Sequence, residues 1–201
     1  MTLDGGRLLP MASPAASESQ PIFERIGIVG IRLLGGSIAL AVRQRWPACL
    51  VIGVDDKSFL EVAQRMYAVD VSADDLEMLS GAQLIILAGS KQDNCRVLKL
   101  LDEYVDETAL ITDITASSGI DTTLAEGISH RFSYISGNLS VDEVNGGLVQ
   151  ARADLFSGRE WFLTPKRVNS NEVVDKMSKF VSELGAIPTI VSSLSDKNEK
   201  V

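Results

Sequence analysis

The sequence predicts an α/β fold built on a doubly wound, mainly parallel sheet in a single domain. Three observations lead to this prediction. Short apolar runs alternate with helical stretches along most of the 201 residues. The first run passes through a glycine turn directly into a helix. Several runs are apolar at every position, as expected for strands that are covered on both faces.

The composition excludes several classes of protein. The chain is 45% hydrophobic and 23% charged, with a net charge of −8 and no block of Lys or Arg, so we expect a globular protein with no nucleic-acid partner. No secretion signal and no membrane-spanning run is visible, which predicts a cytoplasmic protein with no membrane partner. Cys49 and Cys95 have neither disulfide nor metal spacing, so we expect buried thiols and no metal.

The first predicted strand, Arg25 to Val29, leads into the stretch that organises the fold. Gly30 takes the place of a first turn glycine, and Gly35 that of a glycine that lets the next helix pack close to the strand. The helical pattern is clearest from Ser37 to Trp46, before Pro47. Strand, glycine turn and helix begin a Rossmann-like unit, whose turn N–H groups face the pyrophosphate of a dinucleotide.

Arg32 stands where this motif has its second glycine. It adds a long side chain where a pyrophosphate approaches the backbone, and glycine reaches backbone angles that arginine reaches only with strain. Arg32 either obstructs binding or turns outward to pair with a phosphate. We expect obstruction, and therefore weak or absent NAD binding. Gly30, Arg32, Leu33 and Gly35 form the first part of the predicted cofactor site.

Asp55 follows the second predicted strand, Leu50 to Val54. An acidic residue at this position accepts hydrogen bonds from the adenosine ribose hydroxyls. Asp56 adds a second carboxylate, and no arginine stands beside them in sequence to hold a 2′-phosphate, which favours NAD over NADP. A solvated aspartate at a strand end is the alternative interpretation.

The rest of the chain continues the alternation, and its ends differ from the middle. Residues 1–21 are predicted to be a disordered leader, 22–195 the Rossmann-like domain, and 196–201 the start of a truncated or absent C-terminal helical region. The predicted helices are 58–66 (with Ser58 as its cap), 74–79, 92–104, 122–127 and 168–184. The predicted strands are 69–71, 84–88, 110–112, 132–135, 161–163 and 188–191.

Seven stretches of the chain together match a known family: 23–30, 33–39, 51–55, 82–88, 111–113, 151–156 and 184–188. They resemble the nucleotide-binding domain of prephenate and arogenate dehydrogenases. The resemblance covers about residues 22–195 and implies NAD(P)-dependent oxidative decarboxylation of prephenate, toward tyrosine. It also implies a helical C-terminal domain that builds a dimer.

The chain departs from the family at the positions that carry its chemistry. By this resemblance Ala116 stands at the active-site serine and Ser118 at a lysine. Ser90 stands at a proline after the fourth strand and, with Asp55, completes the predicted cofactor site. Asn138 replaces the histidine that the resemblance implies as proton acceptor, and an amide cannot accept that proton at neutral pH. Asp142 is a nearby carboxylate that could enter the cleft, with a solvated loop charge as the alternative.

These substitutions, beside a well-kept core pattern, predict a folded protein whose original reaction is lost or strongly reduced. It would then be a non-redox enzyme or a small-molecule-binding protein, for example of specialised metabolism. One alternative is an NAD-dependent prephenate or arogenate dehydrogenase that moves the proton with other residues, and another is an interaction module. We expect a monomer, or a dimer through a surface that the family does not use. His130, the single histidine, is predicted to lie on the surface.

Overall fold

The computed structural model describes residues 20–105, 108–115, 132–139, 146–166 and 168–191. The strands in these ranges are β1 Arg25–Val29, β2 Leu50–Val54, β3 Val71–Ala73, β4 Leu84–Leu87, β5 Leu110–Thr115, β6 Ser133–Leu139, β7 Glu160–Pro165 and β8 Ile187–Ile190. The α-helices in these ranges are α1 Leu33–Arg45, α2 Lys57–Arg65, α3 Lys91–Leu100 and α4 Asn171–Glu183. None of the helices in these ranges is long and apolar enough to cross a membrane.

The strands form one sheet in the order β3-β2-β1-β4-β5-β6-β7-β8. Pairing is parallel from β3 through β6, and β7 runs antiparallel to β6. The chain winds outward from β1 in one direction to β3 and then in the other direction from β4. The predicted doubly wound, mainly parallel sheet is therefore confirmed, including the parallel pairing of Leu50–Val54 with β1.

Helices cover both faces of this sheet, because alternate residues of each strand point to opposite sides. On β4, Leu84 and Ile86 join the core that packs under α1, α2 and α4. Ile85 and Leu87 join the second core, which lies under α3. Both faces of β4 are therefore buried, which explains why its sequence is an uninterrupted apolar run.

An aromatic cluster fixes α1 and α4 against the first strand. The Trp46 ring stacks on Phe180 at 5.7 Å between centroids, and Phe23 meets Phe180 edge to face at 5.6 Å. All three side chains are almost completely buried. Trp46 follows the last residue of α1, so this cluster holds the far end of the helix whose beginning forms the glycine turn.

Several predicted boundaries differ from the observed ones. Ser58 does not cap α2, since the helix begins one residue earlier and Asp56 is its N-cap, without a side-chain hydrogen bond. The third strand begins at Val71 rather than Val69. Val69 is buried against Gly53, so its apolar character reflects packing rather than strand pairing. The fifth and sixth strands extend further than predicted, to Thr115 and Leu139 respectively.

Both edges of the described sheet are poor templates for another strand. At one edge, β3 has only 3 residues. At the other, the β8 residues Ile187 and Thr189 bracket Pro188, which carries no N–H. The N–H groups of Ile187 and Val191 donate inward to β7 neighbours. Because backbone groups alternate in direction along a strand, the backbone of Pro188 and Ile190 is directed away from β7, toward the open edge of the sheet.

Candidate functional site

A cleft of about 720 Å³ opens beside the carboxyl ends of β1 and β2 and the turn that follows β4. This is the point at which the strand order reverses, and open α/β sheets bind ligands there. Four of the predicted cofactor residues line the cleft: Gly30, Arg32, Asp55 and Ser90. The other two, Leu33 and Gly35, lie buried in the first turn of α1 behind them.

The turn between β1 and α1 requires glycine at two positions. Gly30 has a φ of +94°, and a Cβ there would lie 2.6 Å from the backbone nitrogen of Gly89. At Gly35, a Cβ would lie 2.0 Å from the carbonyl oxygen of Gly30. Gly30 therefore allows the turn, and Gly35 allows α1 to pack close to it, as the sequence predicted.

Asp55 closes this turn from the end of β2. Its Oδ2 accepts a hydrogen bond from the Ile31 N–H at 2.7 Å, and its Oδ1 accepts one from the Asp56 N–H at 2.7 Å. Each carboxylate oxygen has a further lone pair. The half-buried carboxylate can therefore hold the turn and still accept a hydrogen bond from a ribose hydroxyl in the cleft.

Arg32 does not have the strained backbone that the sequence suggested. It is the N-cap residue of α1 with φ −108° and ψ −150°, which is extended backbone open to any residue, and the positive φ lies at Gly30 instead. The guanidinium carbon lies 4.3 Å from the centroid of the Phe59 ring, so the side chain reaches across to α2. The expectation of backbone strain is therefore wrong, whereas obstruction of the ligand stays a prediction.

The N-terminus of α1 lies beside the cleft, because its N-cap residue Arg32 is part of the lining. Arg32 cannot act as a side-chain acceptor, no side-chain cap bond is formed, and the first turn contains no acidic residue. The Gly36 N–H bonds back to the Arg32 carbonyl at 2.8 Å, so the N–H groups before it precede the helical ladder. An uncapped helix N-terminus carries partial positive charge and suits a phosphate.

The opposite wall of the cleft is the turn between β4 and α3. Ser90 caps α3, accepting from the Asp93 N–H at 3.2 Å and donating its hydroxyl to the Asp93 carboxylate at 2.6 Å. Asn94, which is 1% exposed, accepts from the Gly89 N–H and donates to the Leu87 carbonyl. Sequence reasoning missed Asn94, although the Ser-x-x-Asp pattern before it marks a helix start.

Asn138 lies at the same edge of the sheet, on β6. Neighbouring strands align Val29 with Leu87, Leu87 with Asp113, and Asp113 with Ser136. Asn138 is two residues beyond Ser136, toward the carboxyl end, and is 1% exposed. The predicted site residues Ala116, Ser118 and Asp142, together with His130, lie outside the described residues.

A buried carboxylate joins β5 and β6 below Asn138. Asp113 is 0% exposed, and its Oδ1 accepts from the Tyr134 hydroxyl at 2.6 Å and from the Gly137 N–H at 3.3 Å. Burial, and next the adjacent Asp113 carboxylate, raise the pKa of Tyr134 far above its ordinary value. The sequence indicated Asp113 only as part of a family stretch, because its partner Tyr134 is distant along the chain.

The remaining chemistry-bearing residues have structural surroundings. Cys49 is buried, and burial raises the pKa of its thiol to about 12, whereas Cys95 is only half-buried. The prediction of buried thiols is therefore confirmed for Cys49 alone. Trp161 and Phe162 are buried in the core. Among the described residues, no group of three His, Cys, Asp or Glu side chains could hold a metal ion.

Sequence comparison relates the chain to one family of enzymes. The family described as prephenate dehydrogenase, nucleotide-binding domain, matches residues 38–189. The prephenate dehydrogenase of Bacillus subtilis is 25% identical over 169 residues, which are 81% of this chain and 45% of that protein. The Lactococcus lactis prephenate dehydrogenase is 26% identical over 165 residues, or 79% of this chain and 46% of that protein. The chain thus spans less than half the length of these relatives.

Structural comparison agrees. Synechocystis arogenate dehydrogenase superposes with a TM-score of 0.77 and 27% identity, covering 87% of this chain and 62% of that chain. The Aquifex aeolicus prephenate dehydrogenase in complex with hydroxyphenyl propionate and NAD+ gives a TM-score of 0.76, covering 84% of this chain and 60% of that chain. Its 18% identity indicates a shared fold. The family match extends over most of the 201 residues, so the chain belongs to the prephenate dehydrogenase nucleotide-binding domain family.

Proposed function

We propose that this domain binds NAD(H) in the cleft beside Gly30, and that it has lost most of the hydride-transfer chemistry of its relatives. It would then serve as a small-molecule-binding protein or as a non-redox enzyme. The observation that carries the proposal is a contrast within one sheet edge. The glycine turn, Asp55 and the α1 N-terminus have the arrangement of a dinucleotide site, while Asn138, an amide, stands where the resemblance implies a histidine as proton acceptor.

The described residues fit the adenosine half of a dinucleotide. The N–H groups at the start of α1 would bind the pyrophosphate. The free lone pairs of Asp55 would accept from the ribose hydroxyls. Leu76 and Val97 supply apolar surface to the same cleft, which suits an adenine ring. The contact of Arg32 with Phe59 supports binding in preference to the obstruction predicted from the sequence.

The chemistry fails on the other half of the reaction. Bound NAD would accept a hydride, but oxidation of an alcohol also requires a base for the hydroxyl proton. Asn138 offers only an amide, and it is buried in the strand that would carry the base. The loss of a positioned base costs a factor of about 10² to 10⁴ in rate. A cleft that binds the cofactor without this step is therefore open to another use.

A second candidate is an NAD-dependent prephenate or arogenate dehydrogenase with a different proton acceptor. Membership of the family favours it, as does the 27% identity with Synechocystis arogenate dehydrogenase. Asp142 would be the first carboxylate to consider as the replacement base. Under either candidate we propose a cytoplasmic protein. We also propose a monomer, or a dimer through a surface that the family does not use, which light scattering of the 201-residue chain tests.

Two measurements separate these possibilities. Calorimetric titration with NAD and NADH tests the cradle, and we expect binding between about 1 μM and 1 mM, the range of ordinary enzyme ligands. Absorbance of reduced nicotinamide with saturating prephenate or arogenate tests the chemistry, and we expect no meaningful turnover. Turnover near the enzyme median of about 10 s⁻¹ would establish the second candidate. An absence of heat with millimolar NAD would remove the cofactor from both.

A further inference from the structure

The charges around the cleft are unusual for a site that takes an anionic ligand. Four carboxylates line it: Asp55, Asp56, Asp74 and Asp93. A pyrophosphate brings negative charge into this acidic surface, and like charges repel. A local cation would therefore add to the attraction that the helix N-terminus exerts on such a ligand.

Two arginines are the cations among the lining residues, and their surroundings differ. The guanidinium of Arg96 lies 4.0 Å from the Asp93 carboxylate, on the same helix. Arg32 comes from the glycine turn itself and rests on the Phe59 ring, with no carboxylate at salt-bridge distance among the described residues. Within the described part of the chain, Arg32 is therefore the cleft cation that has no acid at salt-bridge distance.

The dipole of α1 does not favour a cation at the position of Arg32. A cation beside a helix N-terminus faces the positive end of the helix dipole, and α1 has no acidic residue in its first turn to offset it. Contact with the Phe59 ring holds the guanidinium in place but leaves its N–H donors, which point outward in the guanidinium plane, available. An anionic ligand at this point would offset the helix-dipole contribution and use those donors.

We propose that Arg32 is a pyrophosphate-binding residue, which replaces the usual close backbone approach at this turn with a guanidinium–phosphate contact. The inference rests on the proposed function, since it places a dinucleotide in the cleft. It reverses the expected effect of this residue. If Arg32 obstructed the site, its removal would strengthen binding, whereas removal of a phosphate partner weakens it.

The test is the affinity for ADP-ribose, which carries the pyrophosphate and both riboses without the nicotinamide. In calorimetric titrations we expect Arg32→Gln to weaken binding roughly ten- to hundredfold, the loss typical of a hydrogen bond to a charged group. Arg32→Lys should recover part of that loss, because it keeps the charge but not the planar fork. Arg65→Gln, the same charge change on the exposed end of α2 and outside the cleft lining, should bind as the unaltered protein does.

Salt dependence provides a readout that a merely structural role would not move. The decline of ADP-ribose affinity with rising salt should become shallower in Arg32→Gln and stay unchanged in Arg65→Gln. The melting temperature of unliganded Arg32→Gln should remain within about 4 °C of the unaltered protein, so that weaker binding does not reflect unfolding.

The outcomes distinguish the two proposals. If the unaltered protein does not bind ADP-ribose at millimolar concentration, the proposed function fails, and this inference fails with it. If the unaltered protein binds and Arg32→Gln binds equally well or more tightly, the phosphate role is refuted while the cofactor cradle stands.

Discussion

The β1–β2 side and the β5–β6 side of the sheet edge at the cleft differ in how closely their residues match a dinucleotide-dependent dehydrogenase. On the β1–β2 side, the turn, the acidic residue and the helix N-terminus are all arranged for a dinucleotide, with Asp55 bonded to the turn at 2.7 Å. On the β5–β6 side, Asp113 is buried between the strands, and Asn138 is the residue that we propose to occupy the position of the family's base. Dinucleotide binding depends mainly on the shape of the backbone, whereas catalysis depends on single side chains. A substitution can therefore remove the catalytic activity and leave the binding site intact.

The largest effect should come from breaking the turn. Gly30→Ala places a Cβ 2.6 Å from the Gly89 backbone at a φ of +94°. We expect it to lower the free energy of unfolding by about 2 kcal/mol or more and to remove detectable NAD binding. Gly158→Ala is the matched control, with φ +71° but nothing within 4 Å of the added Cβ. It should cost only about 1 kcal/mol, measured by urea unfolding, and should leave NAD affinity unchanged.

The next effect concerns the acidic residue at the end of β2. Asp55→Asn loses the charge that holds the Ile31 and Asp56 N–H groups and that would accept from the ribose. We expect NAD affinity to fall about tenfold or more in calorimetry. Asp175→Asn on the exposed face of α4 removes the same charge elsewhere and should not change the affinity. Equal binding by the two variants would mean that the ribose lies elsewhere.

A related measurement compares the two dinucleotides in the unaltered protein. The four carboxylates of the cleft should repel the 2′-phosphate of NADP. We expect NAD to bind about tenfold more tightly than NADP at low salt, with the difference shrinking as salt is added. A preference for NADP would show that Arg32 compensates for the carboxylates at the ribose rather than at the pyrophosphate.

In the other half, Tyr134→Phe should affect stability and not binding. It removes the hydroxyl that donates to the buried Asp113 carboxylate, so we expect a loss of about 1–3 kcal/mol in the free energy of unfolding at pH 7. NAD affinity should not change. Tyr104→Phe makes the same change at a residue that is 38% exposed and should cost almost nothing.

The high pKa of Tyr134 adds a pH dependence to that comparison. The folded protein keeps the proton at pH values where the unfolded chain, with an ordinary pKa near 10, has lost it. Stability should therefore decline above about pH 10 more steeply in the unaltered protein than in Tyr134→Phe. Parallel declines would show that Tyr134 is not buried beside the carboxylate in solution.

The smallest change in activity is expected from a substitution at Asn138, although the resemblance to the family makes this the first position to alter. Under the proposed function, Asn138→His alone should not produce prephenate or arogenate oxidation, because the resemblance implies further differences at Ala116 and Ser118. The measurement is nicotinamide absorbance at saturating substrate. A rate within about 10²-fold of the enzyme median would show that the side chain at position 138 alone accounts for most of the missing activity.

Sequence reasoning succeeded where local pattern and fold agree. The apolar runs and Gly30 sufficed to predict the sheet, since a buried parallel strand and a positive φ leave distinct marks in sequence. It misplaced the third strand because Val69 is apolar for packing against Gly53 rather than for pairing. It could not foresee the direction of the Arg32 side chain, which depends on Phe59 in a different helix.

The candidate site was harder to predict than the fold for the same reason. Asp55 was predicted from its place at the end of the second strand, and the structure places it in the cleft lining, while its role toward a ribose stays a prediction. Asn94 and the Asp113–Tyr134 pair were missed because their partners become neighbours only after the strands assemble. Polar groups that support a site from below carry no local signal, whereas those that face the ligand sit in recognisable motifs.

The two sheet edges constrain how copies of this domain can associate. Short strands and prolines at an edge prevent continuous β-sheet growth from one molecule to the next. With 3 residues in β3 and Pro188 in β8, neither edge of the described sheet offers a full row of backbone donors. Ile187 and Ile190 are still 50% and 48% exposed. This edge is therefore apolar, but its backbone offers few hydrogen bonds to another strand. Self-association of the folded protein would have to bury side chains, and it should therefore be specific and reversible rather than fibrous.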